Sequence, residues 1–144
     1  MKIRATTPDD LPRLYEMDHI AHSEVERREL ISNAVNDQRA WLVESSEGHT
    51  VGYGILSHEF FGRSFIVMVY IDEHHRSRGY GPALIEFLEQ HSRSGELFTS
   101  TNESNKHMRH VLTKLGYEPS GTILNLDPGD PELVFVKKSI GRIT

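Results

Sequence analysis

The stretch from residue 65 to residue 88 restricts the chain more than any other part of it. Residues 65–71, Phe-Ile-Val-Met-Val-Tyr-Ile, are β-branched and aromatic, which reads as a buried strand. Five residues later Arg76-Ser77-Arg78-Gly79-Tyr80-Gly81 reads as a basic turn punctuated by glycine, and Pro82 opens a helix. Leu84, Phe87 and Leu88 then fall on one helical face. A strand, a basic glycine loop and a helix start make an anion cradle. Glycine lets the backbone approach a ligand, and free N–H groups at a helix N-terminus point at negative charge.

The loop departs from two familiar phosphate motifs. No Gly-x-x-x-x-Gly-Lys-Ser/Thr is present, and Gly79-x-Gly81-x-x-Leu84 lacks the third small residue of a dinucleotide fingerprint. The cradle stands in an acidic chain: 16 Lys and Arg against 21 Asp and Glu give a net charge of −5. That balance argues against nucleic acid or an anionic membrane as partner, while a local patch at Arg76 and Arg78 survives within it. With no cysteine, disulfides, thiolate catalysis and cysteine-bound metals are excluded. The first ten residues carry no apolar signal region and no apolar run reaches spanning length, so the expectation is a soluble, cytoplasmic protein.

Around the cradle the chain reads as a single α/β domain, residues 1–144. Residues 2–5 form a short strand, and Thr7-Pro8-Asp9-Asp10 starts a helix with Thr7 as N-cap and Leu11, Leu14 and Tyr15 on its apolar face. A capping box at Ser23-Glu24-Val25-Glu26 starts a second helix running to about Asp37. Strands follow at 40–44 and 50–57 around a turn at 45–49. A second turn at 61–64 leads into the central strand. Gly52 and Gly54 lie inside a strand, which makes them a packing signal rather than a nucleotide loop. The helix from Pro82 reaches about His91, and a strand at 96–101 follows, parallel to the central one in a βαβ unit.

Residues 101–105 supply N-caps for a last helix with Met108, Val111, Leu112 and Leu115 as its core stripe and Gly116 at its end. Strands at 122–126 and 132–136 flank the turn at 127–131. The pairs His19/His22 and His107/His110 are three apart, and a polar helix surface accounts for them; no metal is expected.

The element order and the loop together resemble the GNAT superfamily of N-acetyltransferases. That family's pyrophosphate signature, Arg/Gln-x-x-Gly-x-Gly/Ala between its fourth strand and third helix, is matched by Arg76-Ser77-Arg78-Gly79-Tyr80-Gly81. Asn105 and Lys114-Leu115-Gly116-Tyr117 match the family's later helix, and residues 3–10 match its opening, so the likeness covers essentially the whole chain. The resemblance implies a central mixed, mostly antiparallel sheet of six to seven strands with about four helices. It implies acetyl-CoA as cosubstrate, an amine acceptor and no metal, and it leaves a homodimer through the C-terminal hairpin open. Carried over by position, the backbone of Val69 and Ile71 would bond the pantetheine arm. The N–H groups from Ser77 to Gly81, beside Arg76 and Arg78, would hold the pyrophosphate, with Pro82 fixing the helix start. Asn105 would touch the pantetheine, or serve only as a helix cap.

The implied reaction is direct acyl transfer from a thioester to an amine that must first lose a proton. It needs a proton acceptor, a donor for the oxyanion and an acid for the leaving thiolate. The positions where the resemblance expects those side chains hold Val67, Ser100 and Leu112, none of which ionises. Substitutes are sought among Asp130 and Glu132, with Glu132 preferred as the catalytic residue. Tyr117 is an aromatic lid or a donor, His58 and Glu59 are lesser choices, and His74 and His75 adjoin the loop. Two functions remain open: an N-acyltransferase acting on a small-molecule or peptide primary amine, and a non-catalytic acyl-CoA-binding sensor or interaction domain. Turnover separates them.

Overall fold

Gly52 and Gly54 sit on the strand that carries the most buried residues, and the packing around them sets the architecture. The computed structural model describes residues 1–140. Seven strands form one sheet in the order β1-β2-β3-β4-β5-β7-β6: β1 Lys2–Ala5, β2 Ala40–Glu44, β3 Thr50–Phe60, β4 Arg63–Ile71, β5 Leu97–Asn102, β6 Glu118–Ile123 and β7 Glu132–Lys137. The β4–β5 ladder is parallel, as the intervening helix requires, while β1–β2, β2–β3, β5–β7 and β6–β7 are antiparallel. The sheet is therefore mixed and mostly antiparallel, as expected. The helices are α1 Leu11–Met17, α2 His19–Ser23, α3 Val25–Asn36, α4 Tyr80–Glu89 and α5 Lys106–Lys114. Two compact units divide the chain: residues 1–56 with 68–88, and residues 57–67 with residue 89 onward.

In the first unit, a Cβ on Gly52 would lie 2.6 Å from Ile71 Cδ1 and 2.8 Å from the Tyr70 carbonyl oxygen. A Cβ on Gly54 would lie 3.1 Å from Leu84 and from Leu88. The glycines thus let the end of β4 and the buried face of α4 seat directly on β3, as a packing role predicts. Away from α4, the buried Asp18 accepts from the Ile20 and Ala21 N–H groups and caps α2. Its second oxygen accepts a 2.6 Å hydrogen bond from the Tyr53 hydroxyl, and Arg27 lies 3.6 Å away. Burial, and then the bond to Asp18, push the Tyr53 hydroxyl pKa upward, so the phenol stays protonated. At the other end of the unit Arg4 forks onto both oxygens of Asp10 (3.0 and 2.9 Å), while the Thr7 N–H also donates to Asp10. The Arg4 bond holds the Asp10 carboxyl below its ordinary pKa.

In the second unit α5 ends in a Schellman motif. Tyr117 N–H bonds the Leu112 carbonyl, Gly116 N–H bonds that of Thr113, and Gly116 takes φ +94°. The buried Tyr117 hydroxyl donates to Glu89, and Lys137 closes on the same carboxylate at 3.1 Å. Burial and the Glu89 charge raise the Tyr117 pKa.

Several expected boundaries move. Ser23 does not open a helix: it ends α2, an element the sequence reading lacked, and α3 starts at Val25 after Glu24 with no side-chain cap. Helix α4 begins at Tyr80, two residues before Pro82, which therefore stands third in the helix. Proline is tolerated there because first-turn N–H groups have no intrahelical partner. The strand expected at 122–126 lies at Glu118–Ile123, and Asn125 turns at φ +73° beyond it. Strand β3 runs on to Phe60, and five α-helices rather than about four are present among the described residues. Replacing Gly52 by Ala should push Ile71 and the Tyr70 carbonyl away from β3. We expect a loss of about 1–3 kcal/mol, read as a lowered urea midpoint at unchanged slope.

Candidate acetyl-CoA site

The loop between β4 and α4 is built from backbone conformation before side chains. A 3-10 turn at Glu73–His75 follows β4, and His75 N–H returns to the Asp72 carbonyl. The His75 ring nitrogen Nδ1 sits 3.1 Å from the Asp72 carboxylate. Then Ser77 takes φ +63° and Gly79 φ +87°. Left-handed residues interspersed in a turn are the backbone pattern from which anion-binding nests are made. Gly79 is required by its φ, since a Cβ there would meet nothing. Gly81 is not: its φ is ordinary, and a Cβ would touch only Ile71 Cγ1 at 3.8 Å. Nothing in the folded chain therefore demands glycine at residue 81, and the space beside it is open.

The donors of this loop are unspent. Among the described residues no backbone N–H from Ser77 to Gly81 finds a partner, and the first helical bond at this end runs from Ala83 N–H to the Gly79 carbonyl. Pro82 supplies no N–H. The exposed Arg78 makes no hydrogen bond or ion pair among the described residues. Arg76 differs: its Nε donates to the Ile71 carbonyl at 2.9 Å, and its guanidinium lies 5.4 Å from the centroid of the Tyr70 ring. Arg76 thus braces the turn, while Arg78 is the free cation. Val69 and Ile71, both half-buried, belong to the part of β4 that continues past Ile66, the last residue in its ladder with β5. The residues of the loop fit a diphosphate: a row of N–H donors at a helix start, one free guanidinium and no carboxylate between Arg76 and Pro82.

The remaining candidates lie in the second unit. Asn105 is the N-cap of α5, its side-chain oxygen accepting from Met108 N–H at 3.1 Å, so the capping role is the one the structure displays. Glu132 opens β7 opposite Asn102 and accepts a 2.7 Å hydrogen bond from the Ser100 hydroxyl. Two sequence positions thus become one site: Ser100, where the resemblance expects an acid, holds the carboxylate of Glu132. Sequence reading could not supply this contact, which depends on the β5–β7 register. Asp130 instead accepts from the Ser104 N–H and hydroxyl and ties its turn to the segment before α5. Tyr117 is committed to Glu89, and Leu112 is 1% exposed. His58 is engaged with the Ser64 hydroxyl. Among the described residues no cluster of His, Asp and Glu is arranged to hold a metal, and no helix is long and apolar enough to cross a membrane.

The sheet is mixed and seven-stranded, with a parallel βαβ unit at its centre and a turn rich in free N–H groups before the crossover helix. The model of the acetyltransferase (GNAT) family matches residues 8–117, and the chain belongs to that family, whose chemistry is acetyl-CoA-dependent acyl transfer to an amine. A GNAT-family acetyltransferase from Bacillus cereus ATCC 10987 is similar over 96% of both chains, with 30% identity and a TM-score of 0.87. A GNAT-family acetyltransferase from Streptococcus agalactiae 2603 shares the fold at 18% identity, covering 95% of this chain and 94% of that one, with a TM-score of 0.78. The ribosomal-protein-alanine N-acetyltransferase of Brucella melitensis shares it at 21% identity, covering 96% and 99%, with a TM-score of 0.76. No curated protein sequence matches the chain.

Capping and cofactor contact by Asn105 can be separated. Asn105→Ala should destabilise the protein by about 1 kcal/mol, whereas Asn105→Asp keeps an acceptor for Met108 N–H and should melt near the parent. Calorimetric melting reads the cap; acetyl-CoA affinity, measured on the Asp variant, reads any contact with the cofactor.

Proposed function

We propose that this chain transfers an acetyl group directly from acetyl-CoA to a primary amine, with residues 76–82 holding the pyrophosphate and Glu132 receiving the amine's proton. The observation that carries the reading is the row of unpartnered N–H groups from Ser77 to Gly81 at the start of α4. Donors left unpaired in a folded chain call for water or a ligand, and here they converge with the helix dipole and Arg78. Along β4, the backbone of Val69 and Ile71 would pair with the amide groups of the pantetheine arm as an added strand does. The thioester supplies an activated acyl carbon.

The chain's own work is positioning and proton removal. An alkylammonium is mostly protonated at neutral pH, and only the free amine attacks. Glu132, held by Ser100, offers its other carboxylate oxygen as acceptor. On attack the amine nitrogen forms a bond to the acyl carbon, the carbon–sulfur bond breaks, and the sulfur leaves as thiolate to take a proton from solvent. Correct placement of the two reactants supplies much of the acceleration.

A second reading, an acyl-CoA binder without turnover, draws on Leu112, which is buried where an acid would be expected and cannot donate. The Ser100–Glu132 pair favours the enzyme, because it puts a carboxylate at one of the three positions that lack an ionisable side chain.

Calorimetric titration with acetyl-CoA should give micromolar binding, about −8 kcal/mol, and Gly81→Asp should abolish it by placing bulk and negative charge in the cradle. Absence of binding by the parent protein would remove the basis of the reading. Glu132→Gln keeps the bond from Ser100 but is a far poorer proton acceptor. It should lower kcat by about 10²–10⁴ while leaving acetyl-CoA affinity as in the parent; equal kcat would dismiss Glu132 as the base.

A further inference from the structure

Strand β5 presents Phe98 and Ser100 on the same face, two residues and roughly 7 Å apart. Ser100 holds the Glu132 carboxylate at 2.7 Å, and Glu132 forms no ion pair among the described residues. Phe98 faces a group of aromatic rings. Its centroid lies 5.2 Å from that of Phe60, which stacks on Phe65 at 4.6 Å, and Phe65 stands opposite Phe98 in the β4–β5 register. Phe61 at the hairpin tip meets Phe60 edge-on at 5.1 Å and is 83% exposed. Phe60, Phe65 and Phe98 are themselves only partly covered. This is an aromatic shelf beside an uncompensated carboxylate.

From this juxtaposition we infer that the acceptor is a primary amine joined by a short linker to a flat apolar body, its ammonium against Glu132 and its body on the Phe60–Phe65–Phe98 shelf. The inference rests on the transfer reading for its chemistry and adds the acceptor class. Charge complementarity selects the occupant. A carboxylate without an ion pair attracts an ammonium, and the faces of neighbouring phenylalanines offer a flat apolar body offset-stacked or edge-to-face contact. An anionic acceptor would meet Glu132 unfavourably. A polyamine would leave the rings uncovered and carry further charges over an apolar surface, which costs desolvation. Small arylalkylamines and peptides with an apolar N-terminal residue share this chemistry.

The test compares 2-phenylethylamine, ethylamine, spermidine and a tripeptide with phenylalanine at its N-terminus as acceptors, with thiol release as readout. The phenylethylamine-to-ethylamine ratio of kcat/KM should be about tenfold or more, and spermidine should fall below phenylethylamine. Whichever of phenylethylamine and the peptide is faster identifies the source. Phe98→Ala should bring the ratio toward one. Phe98→Leu, which preserves apolar volume and guards against a misfolded alanine variant, should lower it less. A ratio near one in the parent, or a ratio indifferent to both variants, overturns the inference and leaves acetyl transfer standing. If no amine is acetylated, calorimetric binding of phenylethylamine and ethylamine decides. Tighter phenylethylamine binding, weakened by Glu132→Gln, upholds the shelf and overturns the transfer reading; no preference overturns the shelf as well.

Discussion

The closeness with which β4 and α4 approach β3 is the constraint on which the loop between β4 and α4 depends. Ile71 is the last residue of β4, and Leu84 lies three residues after Gly81, so the loop is pinned at both ends by contacts made over glycine. A side chain at Gly52 would displace the residue from which the loop departs; one at Gly54 would displace the helix into which it leads. Because both anchors press on one strand, the turn between them has little freedom. Ser77 can then be held at a φ that serine rarely adopts. Arg76 completes the arrangement by tying its side chain back to the Ile71 carbonyl. Glycines outside the loop thus do as much for its geometry as those within it.

Polar burial in the same unit follows a complementary logic. Asp18 is fully buried, yet both its oxygens are used: one by the start of α2, the other by Tyr53, with Arg27 nearby. A buried carboxylate is tolerated when every lone pair has a partner, and a satisfied network fixes one arrangement of its elements. Tyr53 in turn stacks on Tyr70, whose hydroxyl meets His19 at 2.7 Å and whose ring lies beneath Arg76. A chain of contacts therefore runs from the cap of α2 to the side chain that braces the anion loop, all within the first unit.

What the sequence made legible depended on residues whose physics is local. Glycine at a helix end, proline in a first turn and a run of β-branched residues mean much the same wherever they occur, so the turn before α4, the α5 end at Gly116 and most strands could be read directly. The helix α2 could not: Ser23 with Glu26 offers a capping box on paper, and only burial shows that Asp18 is the residue with N–H groups to cap. Strand β6 failed for the opposite reason. All six of its residues are exposed, so it is held by backbone pairing to β7 and has no buried face for a hydrophobic pattern to record. The apolar alternation at 122–126 instead reports side chains that reach no core, Leu124 and Leu126 being 63% and 61% exposed. The Ser100–Glu132 contact joins residues 32 apart in sequence, beyond any local signal.

Most of the half-buried carboxylates among the described residues are ion-paired, whereas many of the exposed ones are not. Asp10 has Arg4, Asp72 has Arg13, Glu89 has Lys137, and Glu96 has Arg63. Against this background Glu132 is half-buried with no ion pair among the described residues, and the N–H row at 77–81 has no partner among them; in the proposed reading the substrates supply both complements. Their signs are opposite. The loop is short of an anion, and Glu132 is short of a cation. A diphosphate-bearing acyl donor and an ammonium-bearing acceptor are the two reactants that would satisfy them. The reaction proposed for this chain thus rests on two separate groups, the N–H row and the Glu132 carboxylate, each of which a single substitution can alter without touching the other.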